Sequence, residues 1–175
     1  MRVIAGRLGG RTFDSPAGHR THPMSDKIRG ALFNVLGDIE GLSVLDAFAG
    51  SGALSFEAIS RGAAHVIAID NDRRAQQVIA TNNQSLGTKA SIKLIRAGLG
   101  SWLDTTGDSF DIVLCDPPYD HVDDNLLARA AERAKPGGIV VLSLPPSEAI
   151  TLPARFRALE NKDYGDAALY FYRAG

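Results

Sequence analysis

Asp116-Pro117-Pro118-Tyr119 is the stretch of this 175-residue chain best suited to chemistry. The Asp116 carboxylate and the Pro117 carbonyl can both accept hydrogen bonds. The prolines stiffen the turn and remove backbone N–H donors that would compete for those acceptors. Tyr119 adds a flat aromatic face. Two acceptors beside a stacking face suit a planar group with an exocyclic amine, which describes a nucleobase. The motif follows the apolar run Ile112-Val113-Leu114-Cys115, so it is expected where a buried strand ends. A rigid turn leaving a sheet would use similar residues, and what precedes the motif decides between the two readings.

A second constellation lies upstream, in Asp46-Ala47-Phe48-Ala49-Gly50-Ser51-Gly52-Ala53. Glycines between a strand and a helix let backbone approach a ligand closely, and the crevice outside the carboxyl ends of the strands is the expected ligand site of an open α/β sheet. Asp70 follows 20 residues after Gly50 and closes the next apolar run, where an acid can accept bonds from both ribose hydroxyls of an adenosine. A nicotinamide-binding loop has related geometry, but here Ser55 stands where a third glycine is needed. Asp46 would also repel a pyrophosphate, whereas it suits the amino group of a methionine moiety.

The elements that must position these residues alternate along most of the chain. Val44–Ala47, His65–Ile69, Ile92–Ile95, Phe110–Cys115 and Gly138–Leu142 are short, nearly continuous apolar runs. Such runs indicate strands covered on both faces, hence a parallel sheet with helices on each side. Helices are expected over Ala53–Arg61, Arg73–Leu86 and Asp123–Arg133, with Gly62 and Gly87 as stops. Arg157–Tyr164 and Ala168–Tyr172 flank Gly165-Asp166 and predict an antiparallel hairpin at the sheet edge. Upstream, Arg2–Ala5 and Arg11–Phe13 predict a small hairpin and Ser15–Pro23 a loop. Ser25 is a candidate N-cap for an amphipathic helix carrying Ile28, Ala31, Leu32, Val35 and Leu36. The division expected is an arm over 1–24 and a main domain over 25–175.

Composition places few limits beyond an ordinary globular protein: 45% hydrophobic and 22% charged residues, with one cysteine. No apolar stretch is long enough for a membrane span, and an arginine interrupts the opening Met1–Arg7 before a leader could develop, so a cytoplasmic monomer is expected. The net charge of −1 is unevenly spread. Residues 1–36 hold six basic residues (Arg2, Arg7, Arg11, Arg20, Lys27 and Arg29) against Asp14 and Asp26, giving +4 and leaving −5 for the remainder. A basic arm on an acidic body suits a polyanion.

Taken in order, the strand–helix layout over Leu42–Arg173 resembles the class I adenosylmethionine-dependent methyltransferase fold. This is an α/β, Rossmann-like sheet, mainly parallel with a C-terminal antiparallel hairpin, here preceded by the small N-terminal hairpin and helix. The motifs Arg2-Val3-Ile4-Ala5-Gly6, Gly10-Arg11, Thr21 to Arg29 and Ala31-Leu32-Phe33-Asn34, followed by the Asp46 loop and Asp-Pro-Pro-Tyr, are similar to those of the bacterial RsmD family. That resemblance implies methyl transfer from S-adenosyl-L-methionine, without a metal, to the N2 amine of a guanine in 16S ribosomal RNA, met within a small-subunit assembly. It implies cofactor contacts at Asp46, Phe48, Gly50, Gly52 and Asp70, and catalytic roles for Asp116, Pro117 and Tyr119. It places RNA contacts on the arm, through Arg2, Arg7 and Arg11, and the neighbouring Arg20, Lys27 and Arg29 extend the basic stretch. The acid that often follows the third strand in this family is absent. Arg96-Ala97-Gly98-Leu99 stands there, so backbone groups of Ala97 and Gly98 are expected to meet the adenine.

Two other outcomes stay open on sequence: an amino-methyltransferase acting on adenine N6 or cytosine N4 in DNA, and a non-catalytic adenosylmethionine-binding protein that docks on RNA. Cys115 ends an apolar run and reads as core rather than nucleophile. His19 and His22 lack further ligand residues nearby, so a metal site is not expected.

Overall fold

The computed structural model describes residues 1–18 and 23–175. Twelve elements follow the arm: α1 (Asp26–Leu36), β1 (Ser43–Asp46), α2 (Ala53–Ser60), β2 (His65–Asp70), α3 (Arg73–Ser85), β3 (Ile92–Arg96), α4 (Leu99–Thr105), β4 (Phe110–Cys115), α5 (Asp124–Ala131), β5 (Ala134–Leu144), β6 (Phe156–Asp163) and β7 (Ala168–Ala174). The strands form one seven-stranded sheet in the order β3-β2-β1-β4-β5-β7-β6. β1 to β5 pair in parallel, and β7 runs antiparallel to both β5 and β6. The mainly parallel sheet with a C-terminal antiparallel hairpin is therefore as the strand pattern predicts.

Alternation along the central strands sends side chains into two separate apolar layers. Val44, Val66 and Ile112 pack with Leu32, Phe33, Phe56 and Ile79 from α1, α2 and α3. Leu45, Ile67 and Val113 pack with Leu103 and Leu127 from α4 and α5. Strand order reverses between β1 and β4, which opens a crevice at their carboxyl ends. Asp46 lies beside Leu114 in the register, so Asp46 and Asp116 come from the ends of neighbouring strands.

Four local expectations need correction. The N-terminal hairpin pairs antiparallel as expected but is too short to count as strands: it is centred on the Arg2–Thr12 bridge, with the Val3 N–H donating to the Arg11 carbonyl, the Gly10 N–H to the Val3 carbonyl and the Phe13 N–H to the Met1 carbonyl. The helix α4 is not evident in the sequence, since its short seven-residue run begins after Gly98 and includes Gly100. β5 begins at Ala134, four residues before Gly138. Pro136-Gly137-Gly138 looks like a turn but forms the irregularity that shifts the β4–β5 register between Phe110 and Ile112. Finally, α3 and α5 are shorter than their periodicity suggests, ending at Ser85 and Ala131.

The N-terminal segment is fastened to α2 by buried polar groups. The Glu57 carboxylate accepts from the Ile4 and Ala5 amides at 2.8 and 3.1 Å and from Arg61 Nε at 2.8 Å, with Arg29 Nε 3.9 Å away. Ser60 Oγ donates to the Ala5 carbonyl and accepts from the Leu8 amide. Gly6 has φ +80°, and a Cβ there would sit 1.9 Å from the Ser60 carbonyl oxygen, so only glycine allows this approach. Glu57 and Arg29 are both fully buried. Removing one member of such a network leaves charges and amides unpaired, which costs roughly 3–5 kcal/mol. Glu57→Ala is therefore expected to lower unfolding free energy by about that amount in urea titration, with Glu57→Gln costing less because it keeps an acceptor.

Candidate methyltransferase site

A cleft of about 1100 Å³ lies at the carboxyl ends of β1, β2 and β4. One wall is the loop after β1 and the end of β2, with Phe48, Gly50 and Asp70. Ala97 and Leu99 extend it, and the opposite side carries Asp116, Pro117, Pro118 and Tyr119. Residues 15–18 and 23–25 also border the cleft.

Asp46 is fully buried. Its Oδ2 accepts from Ser55 Oγ at 2.6 Å, while Oδ1 is buried with no hydrogen-bond partner. Burial pushes its pKa up to about 7, the Ser55 hydroxyl opposes that, and the nearby Asp116 and Asp70 charges add to it. A buried acceptor left open is costly unless something else donates to it. Gly50 adopts φ +54° and donates its N–H to Asp70 Oδ2 at 2.8 Å; a Cβ at Gly50 would meet nothing within 4 Å. Asp70 Oδ1 also accepts from the Asp72 amide at 2.8 Å, so this carboxylate shapes the loop as well as facing the cleft.

Gly52, expected among the ligand contacts, also has a packing role. It caps α2 at φ +84°, and a Cβ there would lie 2.6 Å from the Phe56 ring, so close packing demands the glycine. Phe48 is half-buried and borders the cleft while packing against the layer of α4 and α5. Gly98 forms the N-cap of α4, beside Ala97 at the cleft wall.

Asp116 is half-buried, and its pKa is pushed up to about 6 by desolvation, against a hydrogen bond from the Ser143 hydroxyl. The Pro118 carbonyl accepts from the His121 amide at 3.0 Å, which ties the turn. No hydrogen bond engages the Pro117 carbonyl among the described residues. Tyr119 is 37% exposed, and its hydroxyl lies 3.2 Å from Ser143 Oγ. Asp120, His121 and Asp166 line the same end of the cleft and were not singled out by sequence. Cys115 is buried and its thiol is pushed well above its usual pKa, chiefly by desolvation, as fits a core residue. Among the described residues, no group of three or more His, Cys, Asp or Glu side chains is arranged to hold a metal ion. None of the helices is long and apolar enough to cross a membrane.

The basic residues divide. Arg7 and Lys27 are exposed, and Arg2 is exposed with its Nε 2.9 Å from Asp26. Arg11 is exposed but turns its guanidinium onto the Ser85 and Leu86 carbonyls, closing the end of α3. Arg29 corrects the expectation of an RNA contact. It is fully buried and donates to the Met24 and Arg2 carbonyls and to Asp26, holding the arm against α1. Arg20, His19 and His22 lie outside the described residues. Arg74, at the start of α3, borders the cleft and is a cation that sequence reasoning passed over.

The sequence pattern of the family described as Conserved hypothetical protein 95 matches residues 1–173. YlbH of Bacillus subtilis (strain 168) is 37% identical over 123 residues, covering 68% of this chain and 67% of that protein. Ribosomal RNA small subunit methyltransferase D of Escherichia coli (strain K12) is 36% identical over 120 residues, covering 68% of this chain and 60% of that one. Among solved structures, yhhF from Escherichia coli superposes with a TM-score of 0.89 at 28% identity, over 99% of this chain and 97% of the other. With the Asp46 loop and the Asp-Pro-Pro-Tyr turn opening into one cleft of that fold, the chain belongs to the Conserved hypothetical protein 95 family, the RsmD-type methyltransferases.

Proposed function

We propose that this chain transfers the methyl group of S-adenosyl-L-methionine to the exocyclic N2 amine of a guanine in 16S ribosomal RNA, acting as a monomer on an assembling small subunit. One observation carries the proposal: the loop that follows the buried Asp46, together with Asp70, shares one cleft with the Asp116–Pro117 acceptors, and Asp46 and Asp116 come from the ends of adjacent strands. The name of the Escherichia coli relative supports the RNA substrate.

The residues fit the cofactor. Asp46 Oδ1 is a buried acceptor suited to an ammonium group, and Gly50 leaves open space where a side chain would stand. Asp70 would meet the ribose, and Ile69, Ala97 and Leu99 offer apolar wall to a purine. When bound, adenosylmethionine supplies an electrophilic methyl on a sulfonium.

The amine of guanine is a weak nucleophile because its lone pair is delocalised into the ring. Asp116 and the Pro117 carbonyl would accept its two N–H bonds and favour a tetrahedral nitrogen whose lone pair points along the cleft. Holding the amine in that attitude supplies much of the rate, together with a negative charge beside a nitrogen that is becoming positive. The ionised Asp116 would then accept the departing proton, and its raised pKa makes it a better base than a solvent-exposed aspartate. Tyr119 would stack on the base, and the exposed Arg2, Arg7 and Lys27 would meet RNA phosphates.

Asp116→Asn is expected to lower kcat/KM by about a thousandfold or more, while calorimetry gives an adenosylmethionine affinity within about threefold of wild type. The assay uses labelled adenosylmethionine with immature small subunits, naked 16S RNA and duplex DNA in parallel, followed by nucleoside analysis of the product. Label confined to DNA, or appearing as adenine N6 or cytosine N4 methylation, would overturn the guanine assignment. Wild-type activity should rise with pH through about 6 as Asp116 loses its proton, because only the carboxylate accepts both the hydrogen bond and the proton. Asp46→Asn should weaken adenosylmethionine binding about tenfold or more. The same variant should melt higher than wild type at pH 8 but not at pH 4. With its folded pKa raised to about 7, Asp46 gives up stability as pH rises from the unfolded aspartate range through 7, and asparagine has no such loss. The gain should be about 5 °C by differential scanning fluorimetry without ligand.

A further inference from the structure

Ser143 is a polar residue in the apolar second half of its strand. It sits between Leu142 and Leu144 in β5, is 2% exposed, and pairs with Leu169 of β7. A buried hydroxyl is disfavoured unless it is bonded, so its partners explain why the position is tolerated. The register pairs Cys115 with Leu142, which brings Asp116 alongside Ser143. Ser143 Oγ also lies 3.2 Å from the Tyr119 hydroxyl. A serine hydroxyl has one proton, and an ionised carboxylate can only accept. With Ser143 set beside Asp116 by the register, its proton turned to the ionised carboxylate would leave the Tyr119 hydroxyl as the donor in the 3.2 Å contact. The result would be a directed chain from phenol to hydroxyl to carboxylate. It ties the proposed amine acceptor to the proposed stacking face through a residue anchored in the sheet.

We propose that Ser143 is the positioning residue of this site: its hydroxyl fixes the rotamer of Asp116 and the ring plane of Tyr119 together, so that the base amine and the base face are presented in one geometry. This rests on the reading of Asp116 and Tyr119 given above. Tyr119 is half-exposed at the mouth of the cleft, where a free ring would turn among several orientations. Each orientation would carry the stacked base, and hence its amine, away from Asp116. Losing alignment of this kind costs rate at saturating substrate rather than cofactor affinity. The same hydrogen bond stabilises the ionised carboxylate, so removing it lets burial act on Asp116 unopposed.

The test compares Ser143→Ala, Ser143→Thr, Tyr119→Phe and the Ser143→Ala/Tyr119→Phe double variant in the RNA methylation assay. Adenosylmethionine binding serves as the check that each variant is folded. Ser143→Ala is expected to lower kcat about tenfold, to leave adenosylmethionine affinity unchanged, and to move the acidic limb of kcat upward by about one pH unit. Ser143→Thr keeps the hydroxyl and should restore the limb, which a purely steric role for the side chain would not do. Tyr119→Phe should lose several-fold in kcat, and the double variant should lose less than the product of the two single effects, since both break the same chain. An unmoved limb in Ser143→Ala, or multiplicative losses in the double variant, overturns the positioning role. If Asp116→Asn also retains activity, the failure belongs to the catalytic assignment and not to Ser143 alone.

Discussion

A carboxylate buried without a full set of partners is the constraint around which this molecule is arranged. Asp46 sits at the end of β1, fully buried, with one oxygen bonded to Ser55 and the other open. An isolated fold would gain stability by replacing it. It is held there by strand pairing on both sides, β2 and β4, and by the helix α2 that supplies Ser55. Asp70 and Asp116 approach the same space from those flanking strands, and their mutual repulsion with Asp46 raises its pKa further. Three acids converging at one strand-end crevice are poorly matched to a phosphate and well matched to a cation. A ligand with an ammonium and a sulfonium would relieve that repulsion, so the charge pattern suits positive charge.

The same logic extends to the N-terminal segment. Residues 2–8 pair only briefly with residues 10–13, and the amides of Ile4, Ala5, Arg7 and Leu8 are satisfied by Glu57 and Ser60 on α2, the helix that begins after the Gly50 loop. Arg29 connects this segment to α1 and Asp26 from the other side. The segment is thus attached to α2 through a buried carboxylate and hydroxyl as well as through its own short pairing. Exposed Arg2 and Arg7 are carried on that attachment, and Lys27 on the α1 helix that it meets. Two other basic residues fasten the arm: the buried Arg29 ties it to α1, and the exposed Arg11 ties it to the end of α3.

What could be read from sequence follows from which signals are local. Apolar runs such as Ile112–Cys115 and His65–Ile69 specify strands covered on both faces, and the strand–loop–helix order around Gly50 and Gly52 specifies the crevice without any coordinates. Charge does not reveal where it is used. Arg29 is indistinguishable from Lys27 in a list of basic residues, although one is fully buried and the other exposed; only its place on the apolar stripe beside Ile28 and Leu32 hinted at burial. Glycine is similarly ambiguous: Gly50 and Gly52 share a motif, but one opens toward the ligand space and the other admits the Phe56 ring. α4 escaped notice because seven residues with Gly100 among them hold too little periodicity to detect. Ser143 did leave a signal, a lone hydroxyl between Leu142 and Leu144, which in a core strand asks for a bonding partner.

The adjacency of β4 and β5 gives the Asp-Pro-Pro-Tyr turn its specificity as a device. Such a turn could close any strand, and its acceptors alone would bind many amines. Here Tyr119 is reached by a hydroxyl of the neighbouring strand that the register sets beside Asp116, so a tetrapeptide that looks self-contained is joined by a residue 24 positions beyond Tyr119. Proline fixes the backbone of the turn but cannot fix the side chains on either side of it. That task falls to the sheet, whose register sets Cys115 against Leu142 and so brings Asp116 and Ser143 together. Chemistry at the motif is in this sense a property of two strands, and a shift of one residue in their pairing would leave all four residues of the motif present and the acceptor misaligned.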